Sequence, residues 1–332
     1  VRDAANRDNL RLLMGKLEGR DDAKSESQLA GLREIDRQLR EGGTPGEPPM
    51  FLLGIGDEGN GRAIVAFGNP DAARHVSAYV PGLNTSLDED FAKDDLKRAR
   101  DTAIGARIHD RSSASIVWLG YDAPQTPDGL SSLDVMSSEK ADKGGRAFRG
   151  FMNGLSVTNE NEAPHLTAIG HSYGSRTVGA AAQLGGAIPG VDDIVLVGSP
   201  GVGVDHADEL GVGQDHVFVG AAEHDVVTKL PSKRQSSVAL GPIAAGPVVA
   251  CVAGDVADQG DDDLWFGKDP TSEEFGARRF QVDEGPRVVD GSGISLDAHS
   301  RYFDPSRDAV SANNIALVVA GHADKLKPDE YR

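Results

Sequence analysis

The chain has 332 residues, a hydrophobic fraction of 39%, a formal net charge of −18 and a single cysteine. Its length and apolar content support one large α/β domain or two small ones. The negative charge, with no basic stripe, argues against nucleic acid and anionic membrane surfaces as partners, and a lone cysteine excludes an internal disulfide and a thiolate metal site. Cys251 lies in the apolar run 247–252, where a small buried hydrophobe is the expected role. No apolar run approaches the roughly 20 residues needed to span a membrane, and no signal-peptide pattern is present. The chain starts at Val1 rather than methionine, in keeping with a processed or trimmed start, and the compartment is not readable.

Two amphipathic helices open the chain. Leu10, Leu13 and Leu17 mark the first; Leu29, Leu32, Ile35 and Leu39 mark the second, with Ser25 and Gln28 in capping-box spacing and Gly42 and Gly43 at its end. Residues 1–48 read as a helical N-terminal extension that packs on its own domain or on an upstream domain or partner, and residues 49–332 as the main domain. From Pro49 the texture changes to short apolar runs at 51–53, 63–67 and 76–80, the first two joined by a turn with the hairpin dipeptide Asn60-Gly61. Later strand candidates lie at 116–119, 166–169, 194–197 and 217–219, and helical stretches at 91–108, 141–155 and 176–184. Strands alternating with helices predict an α/β fold with a mainly parallel sheet, covered on both faces and begun by an antiparallel hairpin. Residues 230–290 are irregular and rich in glycine, proline and aspartate; they read as a cap or insertion, or as a solvated loop, with the run 260–263 as a solvated turn.

The chemistry concentrates at Gly170-His171-Ser172-Tyr173-Gly174, between the apolar run 166–169 and a small-residue helix pattern. With 41 glycines, a bare G-x-S-x-G arises by chance in roughly one such chain in three, so the flanking strand and helix carry the inference. The layout is that of a nucleophile elbow, which holds Ser172 on a tight turn with its hydroxyl exposed and the next backbone N–H, of Tyr173, aimed at a developing oxyanion.

A serine hydroxyl needs a base to take its proton and a third group to orient that base. In this layout an acid and then a histidine follow the serine along the chain. Asp225, just after the strand 217–219, is the expected acid, although a helix N-cap would give the same local sequence. Glu223 competes with it, and Asp192 and Asp193 precede their strand. His299 and His322 are the only histidines beyond Asp225. His299 reads as a loop position suited to the base, and His322 as the end of a last helix around 315–320. His171, in the elbow, is expected to point away from the hydroxyl, and His224 to serve the surface or packing. The second oxyanion donor is expected from the loop after 76–80, at the backbone N–H of Leu83 with that of Asn84 as the alternative, although Pro81-Gly82 is also a common turn dipeptide.

The stretches 61–65, 80–82, 118–121, 170–175, 198–203 and 275–277 together resemble an actinobacterial α/β-hydrolase domain family of formerly unknown function. The resemblance runs from about Pro49 to Phe303. It implies the α/β-hydrolase fold and a serine-hydrolase site, and brings no substrate. The expectation is a serine hydrolase cleaving a carboxylic ester or related acyl bond of a small molecule through Ser172, His299 and Asp225, with no metal or organic cofactor required. A lipase or thioesterase, with Trp118, Tyr121, Trp265 and Phe266 lining a pocket, is one alternative; a non-catalytic binding module of a secretion or cell-envelope system is the other.

Overall fold

The computed structural model describes residues 1–42, 44, 46–125, 137–230, 263–287, 289–290, 293–294 and 296–331. Cys251 with its apolar run, Gly43, and the first three residues of the run 260–263 lie outside the described residues. Two helices, α1 (Arg2–Leu17) and α2 (Ala23–Glu41), precede the hairpin β1 (Met50–Gly56) and β2 (Arg62–Phe67). The chain continues through β3 (His75–Val80), α3 (Leu96–His109), β4 (Ser113–Leu119), α4 (Ser138–Thr158), β5 (His165–His171), α5 (Tyr173–Gln183), β6 (Asp193–Val197) and β7 (Val217–Gly220). A small hairpin of β8 (Asp263–Leu264) and β9 (Gly267–Lys268), the short strand β10 (Arg278–Arg279) and α6 (Ala309–Val319) follow. Among the described residues one sheet of eight strands runs in the order β1-β2-β4-β3-β5-β6-β7-β10, antiparallel across β1, β2 and β4 and parallel from β4 to β10.

Both faces of this sheet are buried. On β4, Ile116 and Trp118 join the layer built with Phe148 and Met152 of α4 and Val178 and Ala181 of α5. Val117 and Leu119 alternate to the other face, under Ala103 and Ala106 of α3 and Ile315 and Val318 of α6. Trp118 and Tyr121, expected as pocket lining, are therefore core: Trp118 stacks on Tyr121 at 6.0 Å and meets Phe148 edge-on at 5.0 Å.

The opening helices belong to the second layer, where Leu10, Leu17, Leu32, Ile35 and Leu39 pack with Leu52 and Val65. They also cover an edge. Asp3 accepts the Leu52 N–H at 2.7 Å and Asn6 donates to the Leu52 carbonyl at 3.2 Å, so α1 satisfies backbone groups that an edge strand would leave open. The cap of α2 differs from the predicted box. Asp22 is the N-cap, accepting Ser25 N at 2.9 Å and Ser25 Oγ at 2.7 Å, while Gln28 reaches the Gly59 carbonyl instead. The irregular stretch 230–290 contributes β10 to the main sheet, beside β7, which a two-residue strand without periodicity did not announce.

Candidate active site

Strand β5 ends at His171, paired with Val197, and the chain turns sharply at Ser172. The Ser172 N–H still reaches the Val197 carbonyl at 3.0 Å, but its backbone sits at φ 56 and ψ −133, a region that a residue with a side chain occupies at a cost of about 1–3 kcal/mol. Neighbouring glycines make that conformation fit. A Cβ at Gly170 would sit 2.5 Å from Ser175 Cα, one at Gly174 would run into the Val80 carbonyl oxygen, and one at Gly82 would sit 2.6 Å from Ser172 Cβ. Helix α5 starts at Tyr173, so the Tyr173 N–H is one of the donors that a helix N-terminus leaves without an intrahelical partner.

Asp225 follows β7 as N-cap of the short turn Val226–Lys229, its Oδ1 accepting the Val227 N–H at 2.9 Å. The same carboxylate faces the other way through Oδ2, which accepts His299 Nδ1–H at 2.8 Å and the Tyr302 hydroxyl at 2.6 Å. The cap reading and the ion-pair reading thus describe two oxygens of one group. Burial alone would raise the Asp225 carboxyl, but the His299 charge and the donors around it hold it below the usual carboxylate range. His299 stands on the 3-10 turn Asp297–Ser300, and Gly198 leaves room for it: a Cβ there would sit 2.8 Å from His299 Cε1 and 2.9 Å from Asp225 Oδ2.

The His171 ring stacks on that of His299, centroids 4.6 Å apart, and donates from Nε2 to the His299 carbonyl at 2.8 Å. Burial first, and then the His299 and Arg98 charges, push His171 well below the ordinary histidine pKa, so it is a neutral support. Its ring nitrogen serves His299 and not the serine. Among the described residues no hydrogen bond joins the Ser172 hydroxyl to His299.

Of the two oxyanion candidates in the β3 loop, the Asn84 N–H is spent on the Pro124 carbonyl at 2.8 Å. The Leu83 N–H has no acceptor among the described residues, and the loop is braced by the Tyr121 hydroxyl donating to the Pro81 carbonyl at 2.7 Å. Tyr173 turns its side chain away from the site; its hydroxyl, pushed up to about 12 by burial, donates to Ser137 O and accepts from Ala141 N. Phe266, in the β8–β9 hairpin, packs edge-on against the Tyr173 ring at 5.6 Å, and Trp265 beside it is buried.

The competing residues lie elsewhere. Glu223 pairs with Lys229 at 2.9 Å. Asp193 binds His165 and His216, each at 2.7 Å, and Asp192 accepts the Leu166 N–H, all where the parallel strands begin rather than where they end. His322 follows α6 and sits against His109. His224 contacts the carbonyls of Glu284 and Gly285. Among the described residues no group of three or more His, Cys, Asp or Glu is arranged to hold a metal ion, and no helix is long and apolar enough to cross a membrane. A cleft of about 390 Å³ is lined by residues such as Arg37, Lys93 and Arg100, and by none of the site residues above.

Residues 57–234, including Ser172 and Asp225 and ending before His299, match the family model described as alpha/beta hydrolase. The chain belongs to this family. An uncharacterized protein of Mycobacterium tuberculosis is 33% identical to this α/β-hydrolase chain over 276 residues, 82% of this chain and 39% of the relative. The chain thus spans about two fifths of that relative's length, 39%. Another, from Mycobacterium bovis, is 33% identical over 243 residues, 67% of this chain and 87% of the relative. Among solved structures, an arylesterase aligns over 98% of this chain and 99% of its own at 11% identity and a TM-score of 0.39. An esterase of Rhizomucor miehei aligns over 96% of both chains at 11% identity and a TM-score of 0.42.

Three supports of the site were not assigned from the sequence: Tyr302, Gly82 and Gly198. Tyr302 lies three residues after His299, just past the turn Asp297–Ser300, and no local pattern marked it.

Proposed function

We propose that the protein is a serine hydrolase of carboxylic esters or related acyl bonds, with Ser172 as nucleophile, His299 as base and Asp225 as the acid that orients it. Ser172 Oγ attacks the acyl carbon as His299 Nε2 takes its proton. The imidazolium, steadied by Asp225, then passes the proton to the departing alkoxide. Water, activated by the same nitrogen, releases the acyl group and restores the serine. The N–H groups of Tyr173 and Leu83 receive the oxyanion in both halves, each such donor being worth about 100-fold to 1,000-fold in rate.

The observation that carries this reading centres on Gly198. Val197, the residue before it, accepts the Ser172 N–H at 3.0 Å, while a Cβ on Gly198 would contact both His299 and Asp225. The strained serine and the His299–Asp225 pair therefore flank one residue at the ends of β5, β6 and β7. An acid held ionised beside an imidazole whose other nitrogen is free of it is the arrangement that makes a hydroxyl nucleophilic. Hydrolysis of short p-nitrophenyl esters tests it: the wild-type chain turns them over and Ser172→Ala falls to the uncatalysed background. Undiminished turnover by Ser172→Ala contradicts it.

A further inference from the structure

We infer that Tyr302 is a positioning residue that sets how readily His299 takes up a proton, through the Asp225 oxygen that the two side chains share. Tyr302 is fully buried, and its hydroxyl is held on both sides: it accepts the Ala222 N–H at 3.0 Å and donates to Asp225 Oδ2 at 2.6 Å. A phenol has one hydrogen, so the bond from Ala222 leaves that hydrogen aimed at Asp225. Oδ2 then answers two donors, His299 Nδ1 at 2.8 Å and Tyr302, while Oδ1 answers Val227 N. The carboxylate plane is fixed at both oxygens.

The consequence is electrostatic as well as geometric. A carboxylate cut off from water divides its charge among its donors, so the share taken by Tyr302 is withheld from His299 and lowers the basicity of the imidazole. The other groups facing His299 do not compete for that oxygen. His171, from the end of β5, stacks on the ring and binds the His299 carbonyl, the charge of Arg98 of α3 acts on His171, and Asp297 and Arg301 bind each other. His299 and Tyr302 lie three positions apart and bind the same oxygen. The catalytic consequence rests on the triad reading; the coupling of Tyr302 to His299 does not.

The test is an NMR titration of the full chain with 15N-labelled histidine, His299 being identified by the signal absent from His299→Gln. In Tyr302→Phe the His299 midpoint moves up by roughly 0.5–1 pH unit, because Asp225 then serves one donor fewer. With p-nitrophenyl esters the acid limb of kcat/KM moves with it, kcat drops about tenfold and KM stays within about twofold. Replacing the tyrosines by 3-fluorotyrosine, a stronger donor of nearly the same size, shifts the midpoint the opposite way and serves if Tyr302→Phe does not fold. A His299 midpoint unchanged in the folded phenylalanine variant, or in the fluorotyrosine protein, overturns the proposal. A wild-type chain with no esterase activity but with these shifts overturns the triad reading and leaves the coupling standing.

Discussion

Gly82 and Ser172 approach so closely that a Cβ on residue 82 would lie 2.6 Å from the serine Cβ and 3.0 Å from its hydroxyl. The loop after β3 is thereby laid against the elbow. Gly82→Ala forces either the loop or the elbow to move. The expected outcome is a loss of at least about 100-fold in esterase kcat/KM, the scale of one oxyanion donor, with the fold retained by circular dichroism. Wild-type kinetics in the folded variant would show that the loop takes no part.

Asp225 has two separable jobs, and Asp225→Asn separates them. Its amide oxygen can still accept the Val227 N–H, so the cap survives, but the side chain no longer pairs with a charged imidazole. Thermal stability should fall by no more than a few degrees while kcat drops by about 10⁴-fold, the scale for an orienting acid replaced by its amide. Thermal melts and ester hydrolysis measured side by side check both halves.

His171 gives the chain a pH signature. Its pKa in the fold lies well below 6.5, chiefly through burial, so below pH 6.5 the unfolded chain binds a proton that the native one refuses. Stability is therefore full above about pH 6.5 and falls as the pH drops through that value, by up to about 1.4 kcal/mol per pH unit from this one group. His75 is depressed in the same direction by burial. His165 runs the opposite way: burial works against it but Asp193 outweighs burial, raising its pKa, and that stability is lost as the pH rises. Urea midpoints at pH 7.5 and 5.5 should differ less in His171→Gln than in the wild type; equal differences would falsify the assignment of a neutral buried His171.

Asp22, not Ser25, caps α2. Asp22→Ala should lower stability by about 1 kcal/mol, the usual value of a lost N-cap, and Ser25→Ala by less, since Ser25 keeps its N–H. Paired denaturation curves distinguish the two.

Much of this was legible in the sequence, for reasons that lie in particular residues. The order of strands and helices, and the elbow at Ser172, could be read because both depend on local pattern: apolar alternation, and glycines where a Cβ would collide with Ser175 or Val80. Asp225 could be singled out because it follows the strand 217–219, and His299 because it reads as a loop position beyond it. What escaped depends on which side chains and backbone groups actually bond or pair, which residue type and spacing do not show. Ser25 and Asp22 both pass as caps by type, and only the side-chain bond between them decides which one serves. Leu83 and Asn84 differ as donors because Pro124 occupies one N–H and not the other. Strand β10 has two residues and owes its existence to the edge of β7 rather than to periodicity. Trp118 and Tyr121 looked like pocket aromatics because composition does not show that α4 packs over them, with Phe148 against Trp118.

The whole site turns on the Ser172 hydroxyl as the proposed nucleophile. Incubation of the purified chain with a fluorophosphonate, followed by peptide mass spectrometry, tests it most directly. One phosphonyl adduct is predicted, on the peptide carrying Ser172, with labelling slowed at least about 10³-fold in His299→Gln for want of the base. An adduct on a different residue, or no adduct on the folded wild-type chain, would rule Ser172 out as the nucleophile.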